Sequence, residues 1–265
     1  MRQQRSTNGT SFEISGKNNL PAVILIHGLG LSKDMWKEFI PNLLKSYKVI
    51  TFDLFGHGKS DPLNATPDLD LFVNQILELL LYLNIKKAHL IGFSIGGMIN
   101  RKFAVNYPSK VLSLIILNSP HKRDTELQKT VEERAKLVFS QGALATLDDA
   151  LKRWFTSEFR LVRTDVITFV RQWRKKVDEK SYAQIAEVLA TGVKELINQE
   201  FNDRTPTLVM TCENDSGSTP SMAVEIAKDY LYSDLVILPD LKHLGVLEAP
   251  VSFTNPILRF LERIE

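Results

Sequence analysis

The chain has 265 residues, of which 44% are apolar and 24% charged, and a formal net charge of +2 at neutral pH. This is a globular composition, which excludes disordered and membrane-embedded classes, and the near balance of charge gives no electrostatic case for nucleic acid or an anionic bilayer. Cys212 is the single cysteine, so an intrachain disulfide and a cysteine-based zinc cluster are excluded as well. The polar start, Met1 to Ser6, lacks the apolar stretch of a secretory signal, and later apolar runs are too short to span a bilayer. The expectation is a soluble cytoplasmic protein with one sizeable core.

Asn8-Gly9 is a hairpin turn signal and Ser11-Phe12-Glu13-Ile14 alternates, so the chain is expected to open with a β-hairpin. Pro21 to Ile26 is a continuous apolar run, the pattern of a strand buried on both faces, and it leads into His27-Gly28-Leu29-Gly30. A helix carrying Trp36, Phe39 and Leu43 then leads to a second buried strand over 48–52. The glycine-rich loop from Asp53 to Ser60 follows, and then a helix over about 68–83. Ala88-His89-Leu90-Ile91 reads as a further strand, and Met98, Ile99, Phe103 and Tyr107 stand at helical spacing after it. Val111 to Leu117 is another apolar strand. Between about 121 and 203 the pattern turns helical, with Leu147, Leu151 and Trp154, then Ile185, Val188 and Leu189, at amphipathic spacing. Strand and helix resume with Thr207 to Thr211, a helix over 222–231, the strand Leu235 to Leu238 and a closing helix ending at Glu265.

Alternating strands and helices imply an α/β fold: a mostly parallel sheet covered on both faces, with ligands at the carboxyl ends of its strands. Residues 1–120 and 204–265 are expected to form that core, and 121–203 a helical lid over its active edge. Gly92-Phe93-Ser94-Ile95-Gly96 joins a strand to a helix, the context in which a Gly-x-Ser-x-Gly turn presents its serine as a nucleophile. Ser94 then needs a base and a carboxylate to orient it. His243, just past the last strand, is the candidate base. Asp215, past the strand ending at Thr211, is the candidate acid, with Glu213 a near competitor and Asp240 a more distant one. The oxyanion hole would use the amides of Ile95 and Leu29. His27, His57 and Asp53 read as structural. Gly56 and Gly58 lack the Gly-x-Gly-x-x-Gly spacing of a dinucleotide site. Trp154, Phe155 and Trp173 are candidate pocket residues, although helical spacing favours them as lid core. Arg171, Arg174, Lys175 and Lys176 read as a solvated helix face rather than an attractor of acidic substrates.

His27 to Gly30 with Trp36, Asp53 to Ser60, the turn Gly92 to Gly97, Asp215 ahead of Thr219-Pro220, and His243 ahead of Glu248-Ala249-Pro250 stand in order along the chain. Together they resemble the α/β-hydrolase superfamily. The likeness covers nearly all of the chain outside the helical segment, and is greatest to the single-domain group of enol-lactone hydrolases, small carboxylesterases and carbon–carbon bond hydrolases. It implies an eight-stranded sheet, a lid between its sixth and seventh strands and a Ser94, Asp215, His243 triad. Cys212 departs from the glycine of many relatives. The implied activity is hydrolysis of a small ester, lactone or related carbonyl compound, with no metal or cofactor and no nucleic-acid or membrane partner; a homodimer stays open. Carbon–carbon bond hydrolysis and a slow-turnover small-molecule receptor are the alternatives.

Overall fold

The computed structural model describes residues 4–197 and 204–264. The expected end of the helical segment at Asp203, and Glu265, lie outside them. Its sheet has eight strands: β1 (Gln4–Arg5), β2 (Ser11–Ser15), β3 (Ala22–Ile26), β4 (Lys48–Phe52), β5 (Ala88–Phe93), β6 (Val111–Leu117), β7 (Thr207–Cys212) and β8 (Ser233–Leu238), in the order β1-β2-β4-β3-β5-β6-β7-β8. The opening hairpin pairs antiparallel, and β2 lies antiparallel to β4; every other pairing is parallel.

The unbroken apolar runs follow from covering the sheet on both faces. In β3, Ile24 and Ile26 join one core while Val23 and Leu25 join the other; in β6, Leu114 and Ile116 part in the same way from Ile115 and Leu117. A strand with solvent on one side would alternate with polar residues, and these do not.

Between β3 and β4 the single expected helix is two pieces, a 3-10 turn (Lys33–Trp36) and a short helix α1 (Ile40–Leu43). Pro41, in the first turn of α1, has no amide to donate back to the carbonyl of Lys37, so the two pieces are not joined by a continuous helical bond pattern. Helix α2 (Leu69–Tyr82) is capped by Asp68, which accepts from the amide of Leu71 at 2.8 Å, and α3 (Ile95–Asn106) follows β5.

The described residues between β6 and β7 are mainly helical, as the periodicity predicts: α4 (Thr125–Gln141), α5 (Leu147–Trp154), α6 (Ser157–Val162), α7 (Thr164–Lys175) and α8 (Glu179–Thr191). Asp124 and Asp178 cap α4 and α8. Helix α8 is also tied to the loop after β4, because the Ser181 hydroxyl accepts from the amide of Leu63 at 2.9 Å. Helices α9 (Pro220–Lys228), α10 (Gly245–Glu248) and α11 (Pro250–Ile264) complete the chain. Among the described residues, no helix is long and apolar enough to cross a membrane.

Candidate active site

Ser94 sits between β5 and α3 with φ 56° and ψ −116°, backbone angles that L-residues rarely adopt. The crowding of the turn imposes them. A Cβ on Gly92 would overlap the carbonyl of Gly96, one on Gly96 would overlap the carbonyl of Ile26 in β3, and one on Gly97 would stand 2.6 Å from the Cβ of Ser119. Only glycines let strand and helix approach this closely. The amide of Ser94 is held by the carbonyl of Leu117 at 2.9 Å, which fastens the turn to the end of β6.

Asp215 lies past β7 and is buried. Its Oδ1 accepts from the amides of Gly217 at 2.9 Å and Ser218 at 3.0 Å, and its Oδ2 accepts from Asn118 Nδ2 at 2.9 Å. The same Oδ2 lies 2.7 Å from Nδ1 of His243. Three donors therefore orient the carboxylate before the imidazole meets it. With Nδ1 given to Asp215, Nε2 is the nitrogen left for proton traffic. The rival acid does something else: the exposed Glu213 accepts from the amide of Asp240 at 3.1 Å.

Sequence reasoning missed Asn118. It stands at the carboxyl end of β6 with φ 46°, a conformation asparagine tolerates better than most residues. Its place directly after an apolar strand at the ligand-bearing edge was the available signal.

The amides proposed for the oxyanion hole are free to serve. Gly30 donates to Nε2 of His57 at 2.9 Å and Leu31 to the carbonyl of Gly28 at 3.2 Å, whereas the Leu29 amide has no protein acceptor among the described residues. Ile95 opens α3, and first-turn amides have no acceptor within their own helix.

His27, His57 and Asp53 form the frame behind this loop. His27 Nε2 accepts from the amide of Leu54 at 2.9 Å, and Asp53 accepts from the amides of Lys33 at 2.8 Å and Lys59 at 3.0 Å. An imidazole whose Nε2 accepts must be neutral and protonated on Nδ1. Burial is the largest influence on both rings, lowering His27 to about 4 and His57 to about 3. The unfolded chain protonates each near pH 6.5, so below that pH it holds more protons than the native protein. Stability is therefore full above about pH 6.5 and is lost on acidification, by up to about 1.4 kcal/mol per pH unit for each ring. The thermal midpoint is expected to fall by several degrees between pH 6.5 and 5, above the carboxylate range. A flat midpoint in circular dichroism over that window would contradict neutral rings.

Ser94, Leu29, Asp215 and His243 share one cavity of about 140 Å³, an order of magnitude beyond the 10–15 Å³ that a water molecule needs. Trp154 lines it, its ring centroid 6.3 Å from that of His243. Phe155 and Trp173 do not. Phe155 is buried and stacks on Phe159 with centroids 5.2 Å apart, and Trp173 packs against the same core, because the apolar faces of the helices turn toward the sheet. The solvated face expected over 171–176 needs a correction at one position. Arg171 pairs with Asp148, and Lys175 and Lys176 are exposed, but Arg174 is buried and lines the cavity. Position 174 lies on the inner side of α7, where its guanidinium covers the rings of Tyr182 at 4.3 Å and Trp154 at 5.4 Å.

A sequence profile described as the alpha/beta hydrolase fold matches residues 21–250. The chain belongs to the α/β hydrolase family. Over 98% of its length, this α/β hydrolase is 28% identical to the (E)-2-((N-methylformamido)methylene)succinate hydrolase of Acinetobacter baylyi, 97% of which is covered. Over 96% of its length it is 27% identical to 3-oxoadipate enol-lactonase 1 of the same organism, 94% of which is covered. Among solved structures, the enol-lactonase from Burkholderia xenovorans LB400 superposes with a TM-score of 0.87 at 25% identity, covering 96% of this chain and 98% of that one. The likeness to enol-lactone hydrolases expected from the sequence is thus met, and the eight-stranded sheet is the sheet of this α/β hydrolase.

Proposed function

We propose that this α/β hydrolase cleaves a small ester or lactone through an acyl-enzyme on Ser94. The observation that carries the reading is the 2.7 Å contact of His243 Nδ1 with the buried Asp215 carboxylate, in the cavity that also holds Ser94 on its strained turn. The matches to hydrolases of a succinate derivative and of an enol-lactone support it.

Ser94 Oγ attacks the substrate carbonyl carbon while His243 Nε2 takes its proton. The tetrahedral intermediate collapses, the leaving oxygen receives that proton, and water repeats the sequence to release the acid. Asp215 keeps the imidazole in the tautomer with Nδ1 protonated and stabilises the imidazolium as it forms. The amides of Leu29 and Ile95 meet the oxyanion, each contributing about 3 kcal/mol to the transition state. Residues 121–203 serve as the lid, excluding water and shaping the acyl and leaving-group spaces.

Intact-mass and peptide mapping after reaction with a fluorophosphonate, beside a panel of short esters and lactones, is the test. The expected result is one adduct, on Ser94, with parallel loss of hydrolysis; labelling elsewhere, or none together with no turnover, rejects the reading. Two substitutions separate the rival acids. Asp215→Asn is expected to lower kcat by about 10⁴-fold, since it reverses the tautomer demanded of His243. Glu213→Gln, which alters only an exposed loop contact, should stay within about threefold of the parent. The reverse pattern in ester kinetics would make Glu213 the acid.

A further inference from the structure

The roof of the cavity has a charge pattern that ester hydrolysis alone does not require. Arg123 ahead of α4, Arg134 from α4, Arg153 from α5 and Arg174 from α7 all line it, and among the described residues Asp215 is the only carboxylate of the lining. Asp215 is already taken by His243, Asn118 and two backbone amides. Among the described residues, no acidic group lining the cavity is left to answer the guanidiniums.

Two other buried arginines spend most of their donors on backbone carbonyls. Arg123 lies at the cavity wall but is spent on the protein: Nη1 donates to Gln128 Oε1 at 3.2 Å and to the carbonyl of Ala190 at 3.0 Å, and Nη2 to that of Leu189 at 3.1 Å, closing the end of α8. Arg101 donates to the carbonyls of Gly97 and Pro120. By contrast, Arg134 and Arg153 make no hydrogen bond or ion pair among the described residues. Asp149 is near both, but its carboxylate pairs with Lys152 at 3.2 Å. Arg174 is 2% exposed; Nη1 donates to the carbonyl of Ala143 at 3.0 Å, and Nε has no acceptor. That Nε packs directly over Gly30, whose missing Cβ makes the space, so the cationic roof reaches the loop of the oxyanion amides.

Gathering these cations in a partly dry cavity is unfavourable. Burial, followed by the nearby charges of Arg134 and Arg174, makes the Arg153 guanidinium less basic than usual. Such a cluster persists at little cost when an anion completes it, and guanidinium edges match the paired oxygens of a carboxylate.

We propose that Arg134, Arg153 and Arg174 form a carboxylate subsite, so that the substrate is an acidic ester or lactone carrying a carboxylate away from the bond that is cleaved. This rests on the Ser94 hydrolase reading for its direction, since the subsite faces the same cavity. The arginines then set specificity: they anchor the far end of the substrate while the carbonyl meets Ser94.

Two length-matched esters test the idea, mono-p-nitrophenyl glutarate with a terminal carboxylate and p-nitrophenyl pentanoate without one. The parent is expected to favour the acid in kcat/KM by tenfold or more, with the preference shrinking as salt rises. Arg153→Gln should lower the acid-to-neutral ratio at least tenfold, and Arg134→Gln with Arg153→Gln should remove the preference. Neither side chain makes a hydrogen bond or ion pair among the described residues, so melting temperatures should report folded variants. Lys175→Gln, at an exposed position beside Arg174 on α7, should leave the ratio where it was.

Calorimetry of glutarate with the Ser94→Ala protein reads the subsite without turnover: binding is expected, and is expected to vanish on adding Arg153→Gln. Equal rates for the two esters with no glutarate binding would overturn the subsite and leave the hydrolase standing. Loss of all turnover and of fluorophosphonate labelling, with glutarate still bound in an Arg153-dependent way, would overturn the hydrolase reading and keep the subsite.

Discussion

Replacing Ser94 by alanine is expected to lower kcat for a short p-nitrophenyl ester by about 10⁴-fold or more, with the thermal midpoint within about 2 °C of the parent. The size of the loss comes from the unit Ser94, His243 and Asp215. In the proposed mechanism, without the hydroxyl the imidazole has no proton to take, and only the oxyanion amides and binding contacts would act on the substrate. The fold should not notice. The Ser94 side chain accepts no capping bond from α3, and its amide bond to Leu117 survives the change. Ser94→Gly supplies a second reading of the same site. The backbone angles of 56° and −116° cost a side-chain-bearing residue about 1–3 kcal/mol, which glycine avoids. That variant is expected to melt above the parent and to be equally inactive, whereas alanine keeps the strain. Parent-level hydrolysis by a well-folded Ser94→Ala protein would remove position 94 from the chemistry.

The largest effect on stability is expected at Gly92. A methyl group there would overlap the carbonyl of Gly96 and stand 2.7 Å from the amide nitrogen of Gly97. These are backbone atoms at the start of a buried helix, and no side-chain rotation can clear them. Relief requires β5 and α3 to part, which opens the packing of Leu90, Met98 and Ile99 in one core and Ile91 and Phe93 in the other. Gly92→Ala should therefore cost more than about 3 kcal/mol and lower the thermal midpoint by roughly 10 °C, if the protein folds at all. Gly217→Ala is the control. Its Cβ would meet only Asp215 Oδ1 at 3.7 Å, an ordinary contact, and a change below about 1 kcal/mol is expected in urea unfolding. Equal midpoints for Gly92→Ala and the parent would show that the turn is looser than its geometry.

Much of the molecule is legible without coordinates where the governing physics is local. The strands from Val111 to Leu117 and from Thr207 onward stand out because burial on both faces demands unbroken apolar runs. Asp68 marks a helix start because its carboxylate satisfies an amide three residues on. The glycines around Ser94 are forced by a bend that the sequence spells out within six residues. Where two local preferences compete the outcome is harder to see, as at Pro41, which splits the stretch from Lys33 to Leu43 into two turns of helix.

By itself, then, the amino-acid order determined an α/β hydrolase fold, the turn that carries Ser94 and the short set of side chains able to assist it. Only the tertiary structure decided among them. Asp215 rather than Glu213 meets His243 because Asn118, sent from a different strand, and the amides of Gly217 and Ser218 converge on one carboxylate. Arg174 turns inward while Arg171, Lys175 and Lys176 stay in water, and Trp154 reaches the cavity while Phe155 and Trp173 pack behind it. The physical reason is the same in each case. Local periodicity says which residues can form an element, but the direction a side chain takes is set by partners many residues away, brought together when eight strands align and the helices pack on them.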